Sequence, residues 1–191
     1  MLIKLLSNSD KKHLLELSKL LALADKPLLW DGKTSGEFTS STDLNALTIQ
    51  EGEQERELIA ELEQSIGPPS SSAIILGSRR PVDVGARLID ALKKYPIPKA
   101  EKPETRVQAA TTVLKELLKG KKFELPTAPK VILFELLLVA LRDGNITSVE
   151  WALLKEFQLH HQLEDFIFDD LLERAETLNQ EVSKTISIIL E

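Results

Sequence analysis

Apolar residues recur at spacings of three and four through most of the chain, the period of helices with one buried face. Leu14, Leu17, Leu20, Leu21 and Ala24 mark such a face on a helix that Asn8 or Ser9 can cap and that runs to about Asp25. Leu58, Ile59, Leu62 and Ile66 mark the next one. Thr48 and Glu51 have capping-box spacing at its start, and Gly67, Pro68 and Pro69 stop it. A third helix can begin at Pro81, with Val84, Leu88, Ile89, Leu92 and Tyr95 on one side, before the prolines of KYPIPKAEKP make a stiff linker. Pro103 then opens a helix closed by Gly120, with Val107, Ala110, Leu114, Leu117 and Leu118 facing inward. Thr127 and Pro129 introduce the almost wholly apolar run ending near Arg142. Two further helices are predicted, from about Ser148 to Leu159 and from about Leu163 to Ile189. No strand signal matches these in strength, so the expected class is an all-α bundle of about seven helices.

Two stretches break the helical period. Lys26 to Leu47 is rich in Gly, Ser, Thr and Asp and reads as a long loop. Loops of that length within a compact domain are usually functional. Its Trp30 and Phe38 suit either a contact surface or a lid folded back on the core. SSSAIILGSRR reads as an extended connector or a short helix, and Gly77 stands alone in it, which excludes a phosphate-binding glycine loop of the P-loop type.

Composition narrows the chemistry. A length of 191 residues suits one domain, or at most two small ones. There is no cysteine, which excludes disulfides, thiolate metal sites and thiol nucleophiles. The longest apolar run, Val131 to Leu141, contains Glu135 and is about half the roughly 20 residues a membrane span needs. MLIKLLSNSDKKH is too short and too charged for a signal-peptide core, so a cytoplasmic location is expected. The net charge of -6 is unevenly spread: residues 1–67 hold 7 basic and 12 acidic side chains, residues 68–130 hold 13 and 6, and residues 131–191 hold 4 and 12. The basic middle third carries no interleaved aromatics of the kind that stack on bases, so nucleic acid is not an expected partner.

LRDGNITSVEW, Leu141 to Trp151, is the stretch that most resembles a site. With Gly144 and Glu150 at the sixth and twelfth positions of a calcium-binding EF-hand loop, the first and third ligand positions fall on Val139 and Leu141, which cannot coordinate calcium. Helix punctuation accounts for most of the motif. Gly144 can end one helix in the left-handed conformation, Thr147 and Glu150 form a capping box for the next, and Ile146 precedes the cap as a hydrophobic staple. One such cap contributes about 1 kcal/mol. Asp143 is left over, because an acid at a helix C-terminus faces the negative end of the dipole.

An earlier part of the chain echoes this turn. ALAD (Ala22 to Asp25) parallels ALRD (Ala140 to Asp143), and TIQE (Thr48 to Glu51) parallels TSVE (Thr147 to Glu150). Aligned so, the chain reads as one domain of two diverged halves, about 9–67 and 127–191, joined by a linker and central helices over 68–126. A leucine-rich helix ending in Asp-Gly, a short turn, and a Glu opening the next helix resemble the TerB-like family, named for a tellurite-resistance protein. The likeness is carried by ALRDGNITSVEWALLKEF and is strongest from Val131 to about Thr177; in the first half Asp25 lacks the following glycine.

That resemblance implies a helical bundle with internal pseudo-symmetry and a non-enzymatic role in bacterial stress response, with a protein partner and in some cases peripheral association with a membrane complex. It also implies an acidic metal cluster, which here falls on Asp143 and Glu150 and, from the other half, Asp25 and Glu51. Four carboxylates suit a hard divalent cation such as calcium or magnesium. Two other functions compete with this one. The first is a metal-dependent hydrolase-type enzyme using the acidic cluster; the second is a regulatory module that holds a protein through the Lys26–Leu47 loop without metal. His160 and His161 are adjacent, point different ways on a helix and cannot chelate one ion as an i, i+4 pair would. Asp165, Asp169, Asp170, Glu173 and Glu176 read as the solvated face of the last helix.

Overall fold

A computed structural model describes residues 2–66 and 83–190. The chain folds as an all-α bundle: α1 (Asn8–Leu23), α2 (Glu53–Ile66), α3 (Val84–Leu92), α4 (Ile97–Ala100), α5 (Pro103–Leu118), α6 (Ala128–Ala140), α7 (Ser148–His160) and α8 (Asp165–Leu190). The helix stop at Gly67-Pro68-Pro69, the connector around Gly77 and the start at Pro81 lie outside the described residues.

The cap of α1 is Ser7, whose hydroxyl accepts from the Asp10 amide at 3.2 Å, in place of Asn8 or Ser9. Asp83 caps α3 by accepting from the Ala86 amide at 2.9 Å. Pro103 opens α5 as expected of a residue whose missing N–H is not needed there, and Gly120 follows that helix at φ 72°. The stretch read as a stiff linker holds the single turn α4.

α6 is the central element. Nine of its thirteen residues are buried, and it packs against α1, α7 and α8. Leu14, Leu17, Leu20 and Leu21 of α1 join Ile132, Leu133, Leu136 and Leu137 of α6 in one core that also takes in Leu88, Leu92, Leu114, Leu118, Leu154 and Phe157. Residues of both expected halves therefore share a single interior. Glu135 is also buried in it, and burial raises its pKa although it accepts from the Leu2 amide.

The Lys26–Leu47 segment is more ordered than a long loop. Leu28–Trp30 (β1) pairs antiparallel with Leu47–Ile49 (β2), with Leu29 opposite Thr48. Trp30 is 2% exposed, and Phe38 folds onto it edge to face with ring centres 5.5 Å apart. Of the two readings of these aromatics, the lid is the one found. Residues 48 and 51 correct the sequence reading in the same place. Thr48 lies in β2, Glu51 lies in the segment after it, and α2 begins only at Glu53, so no capping box forms there. Cross-strand pairing claims Thr48, and a local capping preference of about 1 kcal/mol does not outweigh a hairpin closed over a buried tryptophan.

Candidate functional site

The ends of α1 and α6 and the start of α7 meet at one end of the bundle. α6 runs into a single 3₁₀ turn, Leu141–Asp143, and Gly144 stops it at φ 87°, the left-handed conformation its sequence position requires. The Asn179 amide of α8 donates to the Leu141 carbonyl at 2.9 Å, satisfying one acceptor that the helix end leaves open. Thr147 and Glu150 then form the expected capping box. The Glu150 amide donates to the Thr147 hydroxyl at 3.3 Å, and the Thr147 amide donates to Glu150 Oε2 at 2.8 Å.

Glu150 is 9% exposed, and burial pushes its carboxyl up to about 6, with the Asp25 carboxylate adding in the same direction and Lys26 opposing. Asp25 is thus close enough to Glu150 to repel it. Asp143 answers differently: its Oδ2 lies 3.5 Å from Nζ of Lys26, the residue beside Asp25. The acid that helix punctuation left over is the counter-charge of a lysine 117 positions away. Three of the four expected residues, Asp25, Asp143 and Glu150, therefore gather around Lys26. Glu51 does not join them. It is exposed, in the segment between β2 and α2. Among the described residues no three acidic or histidine side chains are arranged as a ready-made metal cage.

Arg106 of α5 was not singled out by the sequence reading, yet it organises this end of the bundle. It is 4% exposed, and its guanidinium donates from Nε to the Ala24 carbonyl (2.8 Å) and from Nη2 to the carbonyls of Leu23 (3.2 Å) and Lys26 (2.7 Å). It serves as the C-terminal cap of α1 in place of a glycine. Desolvation lowers its pKa, partly offset by Asp25 and Glu101. The available signal was its place on the stripe of Ala110, Val113 and Leu114, where a charge on an apolar face calls for a partner.

Beside Arg106 opens a cleft of about 370 Å³, walled by the turn after α1, the start of α5 and the first residues of α7. Asp25 is among the residues lining this cleft, and its Oδ1 is shielded from solvent and accepts no hydrogen bond.

A second cluster lies elsewhere on the bundle and was also missed. The Phe123 ring, in the connector after α5, packs against both His13 of α1 (6.0 Å) and His161 at the end of α7 (5.1 Å). His161 also touches Phe157 and His160, and burial, with the two other histidines adding, lowers its pKa to about 4. Lys121 of the same connector pairs with buried Asp10 at 2.9 Å. The acids Asp165, Asp169, Asp170, Glu173 and Glu176 of α8 are exposed, as a solvated face requires. Asp165 additionally accepts from buried Gln158 at 2.8 Å.

No protein-family model matches the chain, and no curated protein or solved structure is significantly similar to it.

Proposed function

We propose that this chain is a non-enzymatic helical module of the TerB-like kind, acting in a cytoplasmic stress response through a protein partner and holding a divalent cation where α1 ends and α7 begins. The observation that supports it most is the pairing of Asp25 and Glu150: two carboxylates in one partly desolvated place, one with an oxygen that accepts nothing and the other with a raised pKa. A cation would answer that deficit of positive charge. Magnesium commonly binds through one or two carboxylates and completes its shell with water, so Asp25 and Glu150 suffice as its protein ligands, and Asp143 would join on turning away from Lys26. Glu51 has no part in this version of the site.

The plain protein-binding module without metal is favoured by a separate observation. Arg106 and Lys26 already stand as cations beside these acids. Calorimetric titration with magnesium, calcium, manganese and zinc separates the two. The cation reading expects binding that Asp25→Asn and Glu150→Gln each weaken by about tenfold or more. Binding indifferent to both substitutions would remove the site, and no binding leaves the protein module.

A further inference from the structure

The chain has three histidines, and all of them gather at the connector between α5 and α6, residues 119–127. Within that connector only Lys121 and Phe123 are not exposed, so two side chains fasten it to the bundle. Lys121 Nζ lies 2.9 Å from Oδ1 of buried Asp10 and donates to the Ser9 hydroxyl at 3.0 Å. Phe123 rests its ring on His13 of α1 and on His161 at the end of α7, and so spans two helices. The Nε2 atoms of both histidines are shielded from solvent and have no hydrogen-bond partner among the described residues. A neutral imidazole tolerates that arrangement at modest cost, whereas an imidazolium has two N–H groups to satisfy and a charge to solvate.

The charges around His161 do not supply what an imidazolium needs. Its own helix presents His160, and Glu156 of that helix is engaged by Lys115 of α5 at 3.3 Å. From α1 come His13, whose Nδ1 has Glu16 at 3.7 Å, and Asp10, which Lys121 already holds. The Phe123 ring already has Lys121 Nζ 5.4 Å from its centre, so a second cation against that ring would be repelled by the first. The negative end of α7 favours a cation, but burial, with the two other histidines adding, outweighs it and holds His161 at about 4.

We propose that Phe123 is a pH-sensitive latch, which closes the connector over α1 and α7 at neutral pH and is released on mild acidification, when His161 takes up a proton. Water then reaches Nε2 and supplies the missing partner. The opening is local, because only Lys121 and Phe123 have to leave their places while α5 and α6 stay on the core. Its sign follows from linkage. A closed-state value of about 4 against an ordinary 6.5 means that the open form takes up the proton first, so the closed form loses ground as pH falls below about 6.5. With His161 fully solvated on opening, the open fraction rises about 25-fold between pH 7.5 and 5. The inference is independent of the cation reading, since none of these residues is one of its ligands.

Thermolysin tests it, because this protease cuts before large apolar side chains and can take the Lys122–Phe123 bond only when the Phe123 ring is free. The full chain is digested at pH 7.5 and at pH 5, and cleavage at that bond is followed by mass spectrometry. Each rate is divided by that of a free peptide carrying residues 119–128, which removes the pH dependence of the protease. The corrected rate is expected to rise about 25-fold in wild type. His161→Phe keeps a ring against Phe123 and Phe157 with no proton to gain, and His161→Gln is a second neutral replacement. In either variant the rise is expected to fall below about threefold. The latch is overturned if the wild-type rise is itself below threefold, or if the His161 variants, folded by circular dichroism, rise as wild type does. It is also overturned if bonds within α6 are cut in step with Lys122–Phe123, since the whole fold would then be opening.

Discussion

Lys26 and Asp143 meet at 3.5 Å although 117 positions separate them, and the contact ties the end of α1 to the end of α6. Half of the Asp143 side chain is open to solvent, so the pair is screened and contributes little by itself. Asp143→Asn is expected to lower stability by less than about 1 kcal/mol, and a double-mutant cycle with Lys26→Met should give a coupling energy that shrinks as salt is added. A loss several times larger in urea denaturation would mean that Asp143 has a structural role beyond this pair.

Arg106 should behave in the opposite way. Replacing it with Met keeps the buried stem but removes the donors to Leu23, Ala24 and Lys26, leaving three carbonyls without their charged partner. The Leu23 carbonyl keeps the Lys26 amide at 3.3 Å, so two acceptors are left unpaired. Each costs about 1–3 kcal/mol, so a total loss of about 2 kcal/mol or more is expected in urea denaturation, and Lys, with a single ammonium, should recover little of it. A loss below about 1 kcal/mol would show that water replaces the guanidinium at these carbonyls.

Two groups titrate in overlapping windows with opposite effects on stability. His161 is held at about 4 in the fold against an ordinary value near 6.5. Its contribution is complete above about pH 6.5 and is lost as pH falls toward 4, because the unfolded chain takes up the proton first. Glu150 is held at about 6, above its ordinary value of 4.5. The fold binds that proton more tightly, so this contribution is full below about pH 4.5 and is lost as pH rises through 6. Glu150→Gln preserves an oxygen for the Thr147 amide while removing the charge. It is expected to gain stability relative to wild type as pH rises from 5 to 7.5, whereas His161→Phe should flatten the acid side of the profile. Thermal unfolding of the three proteins across pH 4 to 8 checks both signs.

How much of this was readable in advance follows from what is local. The repeating apolar positions of α1, α5 and α6, the left-handed Gly120 and Gly144 and the Thr147–Glu150 box are set by residues within a few positions of one another, and each was legible. Ser7 was missed as the α1 cap because three successive residues are all good cap formers, and the choice is made by how the helix docks. Thr48 and Glu51 misled because the competing partner, Leu29, lies across a hairpin and is invisible to local spacing. The echo between the halves was legible as letters, but only the second copy forms the box it implies. Arg106 and the rings around Phe123 depend on contacts between residues scores of positions apart, which a single sequence does not encode visibly.

The two tryptophans give the hairpin lid its own test. Trp30 is 2% exposed beneath Phe38, whereas Trp151 is 39% exposed against Phe168. Acrylamide should quench the two to different extents, and Trp151→Phe should leave only the protected fraction. Phe38→Ala opens the edge of Trp30 without emptying the core, so it is expected to raise quenching of Trp30 at a cost of about 1 kcal/mol for the lost ring pair plus part of the ring's burial. Trp30→Ala removes a fully buried ring and should cost about 3–5 kcal/mol. Since β1 follows directly on the carbonyls held by Arg106, losing Trp30 should also loosen the end of α1. Faster hydrogen exchange at the Leu28 to Trp30 amides in the Phe38→Ala protein would establish that the lid moves as a unit, and unchanged exchange there would confine the effect to the ring contact.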